Sequence, residues 1–297
     1  MILQRVITAV VLLPLVILAI FKLTIEAFAL VIGAIICISL WEWSGFLTKN
    51  IAYRAIYVVT SVVLMWLIQQ NALPMDYWHG FASPESILEW FNPKQLIQFN
   101  LLLSAIWWLI ALILLFIYPR VSQSLVKQPI IMIVIGWLML IPTWVAVVGI
   151  RSMGISFDHN HGAELLLFVL IIIWAADTGA YFAGKTFGKH KLAAKVSPKK
   201  TWEGVFGGLA LSAVVVFFGI DLLHFESEQL VPLICLTVII VIFSVVGDLT
   251  ESIFKRLTDT KDSGTLLPGH GGFLDRIDGI TAALPLALLG FSLFGIK

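Results

Sequence analysis

Nine runs of apolar residues, each close to the length that crosses a bilayer, decide what this chain can fold into. They lie at about 6–21, 27–43, 55–69, 99–118, 130–150, 164–182, 204–223, 230–247 and 277–296. A helix needs roughly 20 residues to span the hydrocarbon layer, and within that layer its backbone N–H and C=O groups must be paired internally. The expected fold is therefore all-α: a polytopic integral membrane protein with about nine transmembrane helices. Hydrophobic residues make up 60% of the chain and charged residues 12%, about half the charge of an ordinary soluble domain. A soluble globule is excluded.

No Gly/Ser linker or low-complexity tract divides the runs, and no internal repeat is visible. The chain reads as three N-terminal spans with an outer loop (1–98), two middle spans (99–163) and four C-terminal spans that carry the chemistry (164–297). The polar gap 70–98 is rich in Trp, Pro and Asn and reads as an interfacial loop. Trp41, Trp43, Trp107, Trp108, Trp137 and Trp144 read mostly as interface or lipid-facing aromatics. The opening residues loosely fit a signal peptide but lack a small-residue cleavage site, and more spans follow, so they read as a retained first helix. Cys37 and Cys235 lie inside apolar runs and read as small buried hydrophobes, not as a disulfide or metal pair.

Cytoplasmic loops hold an excess of Lys and Arg. With the N-terminus inside and the spans alternating, 15 of the 19 basic residues fall on the cytoplasmic side. Only Lys22, Lys94, Arg151 and Lys297 fall outside. The acids split evenly, so the cytoplasmic face is net positive and the outer face net negative. A cytoplasmic partner should accordingly be anionic.

Two cytoplasmic connections hold most of the polar content, residues 174–204 and 247–279. In the second, Asp248, Glu251, Ser252 and Lys255 follow i, i+3, i+4, i+7 and share one helix face. That face continues a span, where an acid is costly unless it has a function. Asp275 and Asp278 are again i, i+3, at the start of the ninth span. Three carboxylates on two helix ends suit a hard, oxygen-liganded cation such as Mg²⁺. Between them, Gly-Thr and Gly-His-Gly-Gly turns allow backbone N–H groups close to a phosphate, which Lys261 and Arg276 would neutralise. A solvated loop with surface ion pairs would explain a generic charge run. It would not explain acids that sit at span ends and share faces.

The first connection contains "GAYFAGKT", residues 179–186, which matches the P-loop letters G-x-x-x-x-G-K-[ST]. That motif works only between a strand and a helix, and the run before it is too long for a strand, so the match reads as accidental. Asp177, near the end of the sixth span, needs a cationic partner, with Lys185, Lys199 and Lys200 as candidates. "SPKKTWEG", residues 197–204, supplies hydroxyls and adjacent lysines, and Ser197 before Pro198 reads as a possible helix cap. Gly204 and Gly208 form a small-xxx-small pair suited to helix packing. Asp158, His159 and His161 have metal-like spacing but read as a solvated outer loop.

"SIFKRLTDTKDSGTLLPGHGGFLDRID", residues 252–278, resembles the signature of the phosphatidate cytidylyltransferases, or CDP-diacylglycerol synthases. Ser252, Lys255, Arg256, Lys261, Asp262, Gly264, His270, Asp275, Arg276 and Asp278 all meet its fixed positions. "DTGAYFAGKTFGKHKL" and "SPKKTWEG" look like further family segments, so the close resemblance covers about 177–279. The resemblance implies conversion of CTP and phosphatidate to CDP-diacylglycerol and pyrophosphate. It implies Mg²⁺ on Asp248, Asp275 and Asp278, with K⁺ as a candidate second ion, and Lys261 and Arg276 completing the catalytic set. It assigns substrate binding to Asp177, Ser197, Lys199, Lys200, Thr201, Glu203, Lys255, Arg256, His270, Gly271 and Gly272. It further implies a homodimer in the bacterial inner membrane with its site facing the cytoplasm, and membrane lipid rather than nucleic acid as partner. A secondary transporter would place its carboxylates near the midplane between repeats, and the motif of the CDP-alcohol phosphotransferases is absent.

Overall fold

A computed structural model describes every residue except 1, 73–92, 119, 121–125, 155–157, 267–270 and 297. Most of the expected 70–98 loop, together with His270 and Lys297, lies outside the described residues. Among those described, nine long helices follow in order: α1 (Ile2–Lys22), α2 (Ile25–Leu47), α3 (Ile51–Ala72), α4 (Pro93–Ile117) and α5 (Pro129–Ser152) in the first half, then α6 (His161–Phe187), α7 (Trp202–Leu222), α8 (Leu230–Leu257) and α9 (Leu274–Phe294). Eight are long and apolar enough to cross a membrane, and the described apolar part of α1, Leu12–Lys22, is shorter. Each expected run lies on one of these helices.

Local chemistry starts and stops them. Thr24 and Thr201 cap α2 and α7, each accepting a backbone N–H three residues on. Such caps satisfy donors that a first helical turn leaves unpaired. Gly295 ends α9 in a left-handed conformation, φ 64°. Among the described residues, a small antiparallel hairpin interrupts the helices between α6 and α7, β1 (Lys191–Ala193) and β2 (Ser197–Thr201). Ser197 therefore opens a strand, and the helix cap in this stretch is Thr201.

One buried apolar cluster draws on all nine helices. Since lipid is as apolar as a leucine side chain, helices in it associate through close packing and interhelical hydrogen bonds. Both devices are present. Where α6 crosses α7, a Cβ on Gly208 would lie 2.7 Å from the Ala176 carbonyl oxygen, so Gly is needed for that approach. Ser212 on α7 donates to the Ile172 carbonyl of α6 at 3.0 Å.

Tryptophans add to both, and the burial of four of the six corrects their reading as mostly interface or lipid-facing. Trp43, Trp107, Trp108 and Trp144 are buried. Trp43 donates to the Met132 carbonyl at 2.8 Å and Trp144 to the Ala29 carbonyl at 2.9 Å, tying α2 to α5. Burying a ring with its N–H satisfied contributes area and direction together. Cys37 is half-buried and Cys235 exposed, both as free thiols, so only the absence of a disulfide between them matches expectation.

Candidate active site

At the end of the bundle where α2, α6 and α8 finish and α7 and α9 begin, the polar residues converge. Helix α8 runs about ten residues past the apolar run seen in sequence, to Leu257. Asp248, Glu251 and Lys255 are thereby carried on one helix face beside the first turns of α9.

Lys200, from β2, forms a 2.8 Å ion pair with Asp248. Asp177 of α6 lies within electrostatic reach of both, so its cationic neighbour is Lys200 among the three candidates. Lys185 instead lies over the Tyr181 ring, 5.7 Å from its centre. Asp278 faces Asp248, Glu251 and Lys200, and it accepts the Gly279 N–H at 2.8 Å. Lys255 bonds Asp275 at 2.6 Å and stands 3.4 Å from Glu251. Five carboxylates from three helices are thus gathered around two lysines.

Asp275 is engaged on both sides. One oxygen takes Lys255; the other accepts the Ser263 N–H, the Ser263 hydroxyl and the Gly272 N–H at 2.8–2.9 Å. It clasps the signature loop to the start of α9. Gly271 supplies the turn with φ +82°, a conformation that side chains resist. Glu251 is the opposite case: it is 0% exposed, with Lys255 at 3.4 Å and Asp278 as its close neighbours.

Other predicted residues hold the surroundings in place. Glu203 accepts the His190 backbone N–H and pairs with its Nδ1 at 2.6 Å, fastening the hairpin to α7. Arg256 donates to the Val196 carbonyl at 3.4 Å, joining α8 to the hairpin turn. Lys199, Lys261 and Arg276 are all exposed. The letters of "GAYFAGKT" fall within α6, and the 18 residues that lead into them are helix as well, not the strand that a P-loop follows.

Glu42 of α2 is the residue that sequence reasoning missed. It is 5% exposed and accepts the Phe273 N–H at 3.0 Å and the Leu274 N–H at 2.8 Å, from a helix more than 200 residues away. Its signal was available: an acid inside an apolar span demands a partner. Beside it opens a cavity of about 320 Å³, whose lining includes Trp41, Glu42, Lys49, Arg54, Asp262 and Ser263.

The signature segment thus meets residues of α2 and α8 as well as α9, and similarity to known proteins likewise reaches beyond that segment. Residues 3–294 match the Cytidylyltransferase family. The chain belongs to that family. A phosphatidate cytidylyltransferase of Haemophilus influenzae is 40% identical over 291 residues, covering 95% of this chain and 96% of the relative. One from Pseudomonas aeruginosa is 39% identical over 284 residues, covering 95% and 94%. A Staphylococcus saprophyticus phosphatidate cytidylyltransferase is 44% identical over 142 residues, which is 48% of this chain and 54% of that one. The similarity thus includes the first five spans, beyond the 177–279 stretch that carried the resemblance.

Proposed function

We propose that this cluster is where the chain transfers CMP from CTP to phosphatidate, giving CDP-diacylglycerol and pyrophosphate. A phosphate oxygen of phosphatidate attacks the α-phosphorus of CTP, and the bond to the β-phosphate oxygen breaks. The nucleophile is already anionic, so no covalent residue or general base is required. What the site must do is bring two polyanions together and hold them in line. The observation that carries the reading is the set of carboxylates and lysines at helix ends, in a member of the cytidylyltransferase family. A site at span ends suits a lipid whose phosphate stays at the interface while its acyl chains remain in the bilayer.

Carboxylate oxygens are the donors that Mg²⁺ favours, although among the described residues no three acids are gathered closely enough to hold a metal ion as they stand, so binding would draw them together. Asp248, Asp275 and Asp278 are the proposed ligands, with K⁺ as a candidate second ion. Of the three, Asp275 would have to give up Lys255. Bound Mg²⁺ would neutralise phosphate charge and stabilise departing pyrophosphate. Lys200 and Lys255 hold the carboxylates in register and supply positive charge to the phosphates. Gly271 and Gly272 keep the loop close to the start of α9, and Lys261 and Arg276 stand on its exposed side.

The chain is further proposed to work as a homodimer in the bacterial inner membrane with this end facing the cytoplasm. The distribution of basic residues supports that orientation. Purified protein given labelled CTP, phosphatidate and Mg²⁺ should form labelled CDP-diacylglycerol, and omission of the lipid or the metal should abolish it. Absence of product with all three present would overturn the reading.

A further inference from the structure

We infer that Glu42 is a positioning residue for cytidylyl transfer: a carboxylate from the N-terminal helices that caps α9 and fixes the aim of its aspartates. The inference rests on the proposed assignment of the reaction to the α8–α9 carboxylates.

Helix α9 has no cap of its own. Phe273 stands at its N-cap position and offers no side-chain acceptor. Its entry turn nevertheless leaves no donor unanswered at three successive positions. Gly272 N–H goes to Asp275, while Phe273 and Leu274 N–H go one to each oxygen of Glu42. The Ser263 hydroxyl lies 3.3 Å from Glu42 and 2.9 Å from Asp275, so the two carboxylates share a loop residue. A carboxylate that accepts two backbone N–H groups at a helix N-terminus is well placed by charge as well as by hydrogen bonding.

The tether has a geometric consequence. Asp275 and Asp278 lie in the first two turns of α9, so their direction depends on how that entry turn is held. Gly264 and Gly272 leave the room: a Cβ on Gly272 would come within 2.6 Å of a Glu42 oxygen. Helix α2 is itself anchored to α5 by Trp43 and Trp144. The N-terminal helices therefore serve as the frame against which the catalytic turn is set.

Glu42→Gln and Glu42→Ala in the full-length protein test this. Gln keeps the shape and one acceptor but turns an amide NH₂ toward a backbone donor. Glu42→Gln should lower kcat about tenfold with both KM values within about twofold, because the substrate-binding groups remain in place. Amide hydrogen exchange across 263–276 should quicken while α5 is unchanged. A merely structural role would lower the folded fraction and leave kcat per folded molecule intact. If Glu42→Ala does not insert, the Gln variant decides. Wild-type kcat in Glu42→Gln, or unaltered exchange at 263–276, overturns the inference. An Asp278→Asn control separates the two levels: full activity there would overturn the site assignment itself, whatever Glu42 does.

Discussion

Asp278 and Asp275 stand one helical turn apart and are held very differently. Asp278 accepts the neighbouring Gly279 N–H and otherwise faces Asp248 and Glu251. Asp275 is bound by Lys255, Ser263 and Gly272. Their Asn variants should therefore fail in different ways. Asp278→Asn and Asp248→Asn should each lose at least about a hundredfold in rate, which corresponds to roughly 3 kcal/mol of transition-state stabilisation. Where activity remains, both should need more Mg²⁺ for half-maximal rate. Asp275→Asn should be similarly slow but should also loosen the signature loop, read as faster proteolysis or amide exchange across 260–272. Near-normal turnover of both Asp275→Asn and Asp278→Asn at low Mg²⁺ would refute the metal assignment. Lys255 offers a separate test at this scale. Its removal strands Glu251 and Asp275 without their cation, and breaking a buried pair from one side costs about 3–5 kcal/mol. Lys255→Met should lower the melting temperature of the solubilised protein clearly, and adding Glu251→Gln should restore part of the loss.

Elements set those residues in place, and here sequence and structure can be compared helix by helix. The apolar runs were legible because lipid demands length and an unbroken backbone ladder, and both are written in composition. The face carrying Asp248, Glu251 and Lys255 was legible because α8 simply continues past its apolar run. Glu42 was not, because its partners Phe273 and Leu274 are backbone donors in a distant helix, and backbone donors leave no trace in side-chain identity. The hairpin was hidden for a related reason: residues 191–201 are too short and too charged to show strand alternation. The tryptophans misled because composition cannot distinguish a ring at the lipid interface from one whose N–H caps a neighbour's carbonyl. The Gly204–Gly208 spacing did read correctly, as helix contact. Gly208→Leu should force α6 and α7 apart against the Ala176 carbonyl and lower stability or insertion, measured by thermal melting and yield. Lys185→Ala should reveal no lost ATP or GTP hydrolysis, since its segment is helix within α6 and Lys185 lies over Tyr181. ATPase activity abolished by that change would mean the P-loop letters were dismissed wrongly.

For the molecule as a whole, the decisive quantity is which side of the membrane each end of the bundle meets. Helix α8 has 28 residues, which at 1.5 Å each makes it about 42 Å long. The hydrocarbon layer is about 30 Å thick, so α8 overshoots it by roughly eight residues. Taken at the C-terminal end, that overshoot covers residues 250–257, which puts Glu251 and Lys255 beyond the hydrocarbon and Asp248 at its edge, so the reaction would take place at the interface, where a lipid phosphate sits. Gln229 and Thr260 flank α8 at its two ends and belong on opposite sides. Basic residues cluster at the Thr260 end, among them Lys200, Lys255, Arg256 and Lys261, which is the bias expected of a cytoplasmic face. With Cys37 and Cys235 first replaced by Ala, a cysteine at 229 should react with an impermeant maleimide added outside intact cells. A cysteine at 260 should react only in inverted vesicles. The proposed use of CTP, a polyanion that does not cross a bilayer unaided, asks for the same orientation. Labelling of both positions from one side would break the nine-span arrangement. Labelling of both from the reversed sides would keep the fold but put the carboxylates where no CTP reaches them.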